Sequence, residues 1–249
     1  MSIQLGRFKV PIVFKYNELS QYLSAIEQFT PFLKWQSKFS NDLIQNNQDH
    51  LEIHSIEIQD LDFFGKSRIG FLKFKVDLNW LNGPKIPGIV FCRGDSVAIL
   101  LVLKATDNDE LNLDPLVLLV KQPRIPIGSM SCLELPAGML DNSTSFAGVA
   151  AQELKEECDI TIVEKSLIPL TDKSLTPSPG GCDESIGIFL YEHHLSSTEI
   201  MALNGKLTGL RDHGERIQLQ LVKLSNLHSA TQSLTVLAAL GLYNIKIKS

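Results

Sequence analysis

Three glutamates crowd one short stretch of the sequence, LPAGMLDNSTSFAGVAAQELKEEC, which runs from Leu135 to Cys158. If this stretch is helical, Glu153 and Glu157 lie one turn apart and Glu156 flanks them. Like charges at that spacing destabilise an isolated helix by a few tenths of a kcal/mol per pair. Stacked carboxylates suit a hard cation such as Mg²⁺, whereas an arbitrary ExxEE is more often a solvated helix end. The glycine turn before the helix favours the cation site.

A second candidate group is the glycine-rich stretch SPGGCDES, in which Glu184 follows Gly180 and Gly181. A carboxylate on such a loop can accept a proton from water once a substrate binds. The two glycines permit unusual backbone dihedral angles, while the prolines before them stiffen the loop. An ordinary surface turn is the alternative interpretation.

These groups must be positioned by a mixed sheet. The helix is expected to begin near Ser145 or Phe146, after possible capping residues 142–144, and to dock on the sheet through an apolar stripe at Ala147, Ala151, Leu154 and Cys158. The runs SVAILLVLKA and DPLVLLVKQP predict buried strands around an acidic loop, TDNDELNL. Further strands are predicted at SIGIFLYEHHL and ERIQLQLVKL, and a final amphipathic helix at SATQSLTVLAALGLYNI.

The N-terminal part has a different pattern. Residues 16–45 have helical spacing with a break at Pro31, and two half-exposed strands, HSIEIQDLDF and RIGFLKFKVDL, follow. The order of elements predicts a mixed sheet covered by helices, preceded by a helical segment with a small sheet.

Composition narrows the functional classes. A formal net charge of −5 argues against general nucleic-acid binding, which usually requires a basic face. No apolar run approaches the length that spans a bilayer, and the first residues lack the pattern of a signal or transit peptide. The four cysteines contain no CxxC pair, so neither a disulfide framework nor a zinc site is expected, and a cytoplasmic location fits best.

The residues also carry a family resemblance. Gly138 followed by Glu153-Leu154-x-Glu156-Glu157 resembles the Nudix box, G-x5-E-x7-R-E-U-x-E-E-x-G-U, in which U is a bulky aliphatic residue. The blocks FFGKSRIGFLKFK, PGIVFCRG, LELPAGML, SPGGCDE and GLRDHGE resemble the ADP-sugar and ADP-ribose diphosphatase branch, in particular the plant-type ADP-sugar diphosphatases. The resemblance covers roughly residues 55 to 245, and several ordered blocks are a more specific signal than one motif.

The resemblance implies an α/β/α Nudix sandwich over residues 90–249, after an N-terminal extension over residues 1–89 that forms a homodimer. It implies Mg²⁺, or Mn²⁺, as the cofactor. It also implies roles for site residues: metal ligands Glu153, Glu157, Glu215 and the carbonyl of Ala137; Glu156 as accessory ligand and catalytic residue; Glu184 as catalytic base or additional metal ligand; and Arg93, Arg124, Gly180 and Gly181 at the substrate.

The implied reaction is hydrolysis of a nucleoside diphosphate sugar, with ADP-glucose or ADP-ribose favoured. Three positions depart from the box: Thr144 replaces its first acid, Gln152 its arginine and Asp159 its closing glycine. Gln152 can still donate a hydrogen bond through its amide, and Asp159 tolerates the left-handed conformation of a helix end. Two alternatives stay open: a weakened or inactive nucleotide-sugar binder or assembly subunit, and a Nudix hydrolase of UDP-sugars or dinucleotides.

Overall fold

The computed structural model describes residues 2–46, 50–140, 145–210 and 216–248, except the side chains of 247 and 248. The chain divides into two compact units. The first comprises Met1–Asp95 and Ser178–Ser185, and the second comprises Ser96–Pro177 and Ile186–Ser249. The domain boundary expected after residue 89 stays a prediction, while the compact units divide after Asp95 and again around the segment 178–185.

The first unit is built on a five-stranded sheet in the order β1-β2-β3-β4-β5, in which only the β2–β3 pair is parallel. Its strands are β1 (Ser2–Leu5), β2 (Phe8–Phe14), β3 (Leu51–Phe64), β4 (Arg68–Trp80) and β5 (Ile89–Cys92), and its helices are α1 (Leu23–Ile26) and α2 (Thr30–Gln45). Along β4, Leu72, Phe74 and Val76 are buried at every second position, as the half-exposed pattern predicted. The N-terminal hairpin β1–β2 was not predicted, because Pro11 is unusual within a strand.

The helical prediction for residues 16–45 is confirmed in outline. A 3-10 segment, Asn17–Tyr22, leads into α1, and α2 then begins with Pro31 in its first turn. Proline is tolerated there because the first N–H groups of a helix have no partner within the helix. Phe32 of α2 lies edge-on to Phe74 of β4, with ring centroids 5.3 Å apart, so the helix closes one face of the sheet.

The second unit has a mixed sheet whose main path is β10-β11-β6-β7-β13-β12, with β8 paired to β7 and β9 paired to β6. The strands are β6 (Ser96–Ala105), β7 (Leu116–Arg124), β8 (Ser129–Glu134), β9 (Ala137–Met139), β10 (Ile168–Pro169), β11 (Ile186–Leu195), β12 (Leu207–Thr208) and β13 (Ile217–Lys223). The helices are α3 (Asp109–Leu113), α4 (Phe146–Cys158), α5 (Ser197–Leu203), α6 (Leu227–Ala230) and α7 (Leu234–Lys248).

The central strand β6 shows why this unit has three layers. Its residues alternate between two apolar clusters: Val97 and Ile99 pack with Leu154 of α4, whereas Ala98 and Leu100 pack with Val236 of α7. A strand covered on both faces is apolar throughout, as the run SVAILLVLKA predicted. The expected mixed α/β fold with a helix on each face of the sheet is therefore confirmed.

Two helical predictions differ from the structure. The acidic loop contains the short helix α3, and the final helix does not run on from Ser229, because residues between α6 and α7 are extended or irregular. The hydroxyl of Thr231 donates to the carbonyl of Leu133 and accepts from the N–H of Ser233. These side-chain bonds compete with helical backbone bonds, so α7 begins later in the chain than predicted. Among the described residues, no helix is long and apolar enough to cross a membrane.

Candidate active site

The acidic helix α4 has well-defined ends. It begins after Ser145, whose side chain accepts a hydrogen bond of 3.0 Å from the N–H of Gly148, so the predicted start is confirmed. The cap is thus Ser145 rather than one of the predicted capping residues 142–144, which lie outside the described part of the chain. At the other end Asp159 has φ 59° and ψ 33°, the left-handed conformation that the sequence analysis expected this residue to tolerate.

The inner face of α4 includes one of the three glutamates. Ala150, Leu154, Glu157 and Cys158 are buried, at the i, i+4, i+7 and i+8 positions of a single helical face. Ala147 and Ala151, predicted in the apolar stripe, are half-buried. Glu157 is buried although the predicted apolar stripe did not include it, because the side of the helix that meets the sheet extends round to this position.

The buried carboxylate of Glu157 is held by β9 and β7. The N–H of Ala137 donates to its Oε2 at 3.0 Å, and the amide of Gln122 donates to its Oε1 at 3.4 Å. Burial raises the pKa of Glu157 to about 8, and the negative charges of Glu153 and Glu134 add to this, while the Ala137 N–H and Arg124 oppose it. A cation beside this carboxylate would relieve both the repulsion and the loss of hydration.

Glu153 lies against the same short strand. A Cβ atom built on Gly138 would stand 1.8 Å from Oε1 of Glu153, so only glycine leaves room for this carboxylate. Glu153 and Glu157 thus both meet the backbone of residues 137–138. Residues 137 and 138 belong to β9, which is held in place by antiparallel pairing with the buried strand β6.

The third glutamate has a different partner. The amide of Gln152 donates to Oε1 of Glu156 at 2.8 Å, one turn along the exposed side of α4. The hydrogen bond expected of Gln152 is therefore present, but it lacks the positive charge and the two-pronged geometry of arginine.

Arg124, at the end of β7, is paired with an acid that sequence reasoning did not single out. Its Nε donates to Oε1 of Glu134 at 2.6 Å, across the β7–β8 hairpin. Glu134 stood within the quoted block LELPAGML, and its place directly before the Pro136 turn was the only signal that could have marked it. Arginine has five N–H donors, so the remaining ones can still bind an anionic ligand.

Four of the predicted residues, Arg93, Gly180, Gly181 and Glu184, belong to the first unit. Nη1 of Arg93 lies 3.4 Å from Oε2 of Glu184, whose side chain is 13% exposed. Gly180 and Gly181 do not adopt a positive φ, and no heavy atom lies within 4 Å of a Cβ built on either. Neither glycine therefore uses the left-handed conformation that glycine permits, and the carbonyl of Gly181 accepts from the N–H of Phe91 at 2.8 Å.

Comparison with known proteins shows which proteins this chain is similar to. No family model matches the chain. Nudix hydrolase 14 (chloroplastic) of Arabidopsis thaliana is 41% identical over 204 residues, which are 78% of this chain and 63% of that protein. Over most of its length, the chain is similar to a Nudix hydrolase. The Nudix box recognised in the sequence is accordingly α4 together with the turn at Gly138.

Two further similarities point in the same direction. The ADP-sugar pyrophosphatase of Mus musculus is 43% identical over 63 residues, 25% of this chain and 26% of that protein. A crystal structure of an ADP compounds hydrolase superposes with a TM-score of 0.52 at 17% identity, covering 80% of this chain and 95% of that one. At that identity the structural likeness concerns the fold alone. The matched region spans less than two thirds of the Arabidopsis relative.

The donor chemistry of the Nudix helix fits a hard divalent cation. Glu153 and Glu157 place carboxylate oxygens beside one stretch of backbone, and a bound cation would relieve the repulsion between their negative charges. Within the described ranges, however, no three His, Cys, Asp or Glu side chains converge as a complete ligand set. Glu215, predicted as a further ligand, and Thr144, the replaced first acid of the box, lie outside those ranges.

Proposed function

We propose that this protein is a Mg²⁺-dependent Nudix hydrolase that cleaves the diphosphate bond of an ADP-sugar. The products would be AMP and a sugar phosphate. The observation that carries the proposal is the meeting of the Glu153 and Glu157 carboxylates at the backbone of residues 137–138. The mouse relative is named an ADP-sugar pyrophosphatase, and the structural neighbour is named an ADP compounds hydrolase. Both names favour an adenosine diphosphate compound as the substrate.

Glu153 and Glu157 would hold the cation, with the Ala137 carbonyl and Glu215 as further oxygen donors and Glu156 in an accessory role. The bound ion would neutralise diphosphate oxygens and lower the pKa of water. Burial of Glu157 supports its assignment as a central ligand, because an uncompensated carboxylate is costly there. Mn²⁺ also prefers oxygen donors and is a possible substitute.

The other assigned residues act on the substrate. Arg93 and Arg124 would bind its phosphate oxygens, since guanidinium groups match phosphates in charge and geometry. Gly180 and Gly181, which are open to solvent on their Cβ side, would let the substrate approach the backbone. Glu184 would accept the proton of the attacking water, and its small exposure supports a defined position for that oxygen.

We also propose a homodimer formed through the first unit. Exposed apolar side chains in that unit, Ile89 at 57% and Phe91 at 40% among them, support an apolar contact surface. For cellular location we propose the cytosol, because the four cysteines are free thiols. The name of the Arabidopsis relative places that protein in the chloroplast, so fractionation should assay both compartments.

The experiment that tests the function is a panel assay. ADP-ribose, ADP-glucose, UDP-glucose and a dinucleotide are incubated with the purified protein in Mg²⁺, in Mn²⁺ and in EDTA, and the phosphomonoester released is measured by phosphatase coupling. The proposal requires the highest kcat/KM for an ADP-sugar and its loss in EDTA. Preference for UDP-glucose or the dinucleotide would contradict the substrate assignment. Binding of an ADP-sugar without turnover would establish the non-catalytic alternative.

A further inference from the structure

The carboxylate of Asp183 accepts hydrogen bonds from three consecutive residues at the end of β5, and the thiol of the neighbouring Cys182 lies 4.0 Å from its Oδ1. Its Oδ1 accepts from the N–H of Arg93 at 2.8 Å, and both of its oxygens lie 3.2–3.3 Å from the N–H of Gly94. The thiol of Cys92 donates to Oδ2 at 3.2 Å. Hydrogen bonds to an ionised acceptor are roughly twice as strong as neutral ones, so these bonds hold Asp183 strongly to the end of β5.

The backbone at Arg93 and Gly94 is shaped to receive an anion. Gly94 has φ +90°, and a Cβ added there would stand 2.8 Å from Cγ of Pro31, so both conformation and space require glycine. A turn of this kind can direct successive N–H groups at one point and form an anion-binding concavity. Here the anion is the Asp183 side chain of the same polypeptide.

Asp183 lies between two further hydrogen bonds that join the segment 178–185 to residues 91–95. On one side of it, the carbonyl of Gly181 accepts from Phe91; on the other, the hydroxyl of Ser185 donates to Oδ1 of Asp95 at 2.7 Å. Glu184 therefore lies between two attached residues. Its own carboxylate lies 3.4 Å from the guanidinium of Arg93, the residue whose backbone N–H binds Asp183.

From this arrangement we infer that Asp183 is a positioning residue for the reaction: it fixes the segment 178–185 to the end of β5 and thereby holds Glu184 in its working place. The inference rests on the proposed function only in taking Glu184 as the base. Asp183 itself would not contact the reacting atoms. Its effect on rate passes through Glu184, because a displacement of about 1 Å in a catalytic group can cost about a hundredfold in rate.

The test uses the full-length protein with Asp183→Ala, Asp183→Asn, Glu184→Gln and the double variant Asp183→Ala/Glu184→Gln. Asp172→Ala is the matched control, because Asp172 is an exposed aspartate in the same connection between β10 and β11. Hydrogen–deuterium exchange of peptides covering 178–186 is measured without substrate, and kcat and KM are measured with the preferred ADP-sugar.

Asp183→Ala should accelerate exchange in 178–186 and lower kcat by tenfold to a hundredfold, on the order of the misplacement cost above, with KM within about threefold. Asp183→Asn, which keeps one acceptor oxygen, should recover part of both effects, and Asp172→Ala should change neither. In the Glu184→Gln background, Asp183→Ala should lower kcat no further, because the two residues act as a unit.

Unchanged exchange in Asp183→Ala would overturn the attachment, and a full additional loss of kcat in the double variant would overturn the action through Glu184. If wild type hydrolyses nothing, the proposed function fails, and so does the inferred catalytic role. The exchange measurement would still decide separately whether Asp183 holds the segment.

Discussion

Glu153 and Gly138 are packed so closely that a Cβ atom on the glycine would lie 1.8 Å from Oε1 of the glutamate and 2.0 Å from its Cδ. No rotation of the added methyl group relieves such an overlap, since Cβ is fixed by the backbone. The glutamate or the strand β9 has to move. This contact gives a sharp test of the acidic site.

Gly138→Ala should displace the Glu153 carboxylate and lower kcat/KM by about a hundredfold, the expected scale for a misplaced catalytic group. The fold should be destabilised much less, because all three atoms that the added Cβ would meet belong to the Glu153 side chain, which can move. Gly241→Ala, within α7 and with no heavy atom near its Cβ, is the control and should be neutral or slightly stabilising. Steady-state kinetics and thermal unfolding measure both effects, and normal kinetics in Gly138→Ala would show that Glu153 is dispensable.

The buried carboxylate of Glu157 makes a prediction about pH. Its pKa in the folded protein is raised to about 8 from an ordinary 4.5. Below pH 4.5 Glu157 is protonated in both the folded and the unfolded state, and its contribution to the free energy of unfolding is complete. Between pH 4.5 and 8 the folded state keeps a proton that the unfolded chain has released. The free energy of unfolding therefore falls as pH rises towards 8, by at most about 1.4 kcal/mol per pH unit.

Thermal unfolding of wild type in EDTA should therefore show a falling Tm from pH 5 to 8 that Glu157→Gln lacks. Glutamine mimics the protonated acid, so the variant should fold while losing nearly all turnover. Mg²⁺ should stabilise wild type most at the alkaline end, where the carboxylate is free of its proton. Identical pH profiles for wild type and Glu157→Gln would contradict the raised pKa.

Gln152 offers a gain-of-function test. Gln152→Arg should replace the neutral bond to Glu156 by an exposed ion pair worth about 0.2–1 kcal/mol, and so lower the Mg²⁺ concentration for half-maximal rate by about 1.4-fold to fivefold. Gln152→Ala removes the 2.8 Å bond and should shift that concentration in the opposite direction. A Mg²⁺ titration of the rate compares the three proteins. If all three titrate alike, the interaction with Glu156 does not order the site.

Glu184→Gln tests the assigned base. It should lower kcat by about 10²–10⁴-fold and leave KM within a few-fold, as expected for a group that acts in the transition state. Glu110→Gln, in the exposed first turn of α3, controls for the loss of one negative charge. Equal rates for Glu184→Gln and wild type across the pH range would remove Glu184 from this role.

The proposed assembly is tested by light scattering. A homodimer should have about twice the chain mass of 27.7 kDa at micromolar concentration, since two-fold dimers are the commonest assemblies. A monomer that hydrolyses the substrate at the full rate would contradict a requirement for the dimer.

Local signals in the sequence were sufficient for the Nudix helix. Its start near Ser145, its left-handed end at Asp159 and the bond of Gln152 follow from residue chemistry within one or two turns, although the capping side chain is Ser145 and not one of residues 142–144. The burial of Glu157 did not follow, because the sequence pattern shows the spacing of a helical face but not how far round the helix the sheet extends.

Non-local contacts account for the other differences. Asp183 and Arg93 are ninety positions apart, and neither carries a local pattern that announces the other. Gly180 and Gly181 looked like residues chosen for their dihedral angles, yet they lie in open space without a positive φ. Glycine at Gly94, by contrast, is required by the conformation of the turn that receives Asp183.

The first unit is discontinuous in the chain, and this has a consequence for biosynthesis. All five strands of its sheet precede residue 96 and can pair while the rest of the polypeptide is still being translated. The segment 178–185 leaves the ribosome only after the whole of α4. A nascent or truncated chain ending at Asp95 would thus contain the complete sheet, but the N–H groups of Arg93 and Gly94 would have water in place of the Asp183 carboxylate.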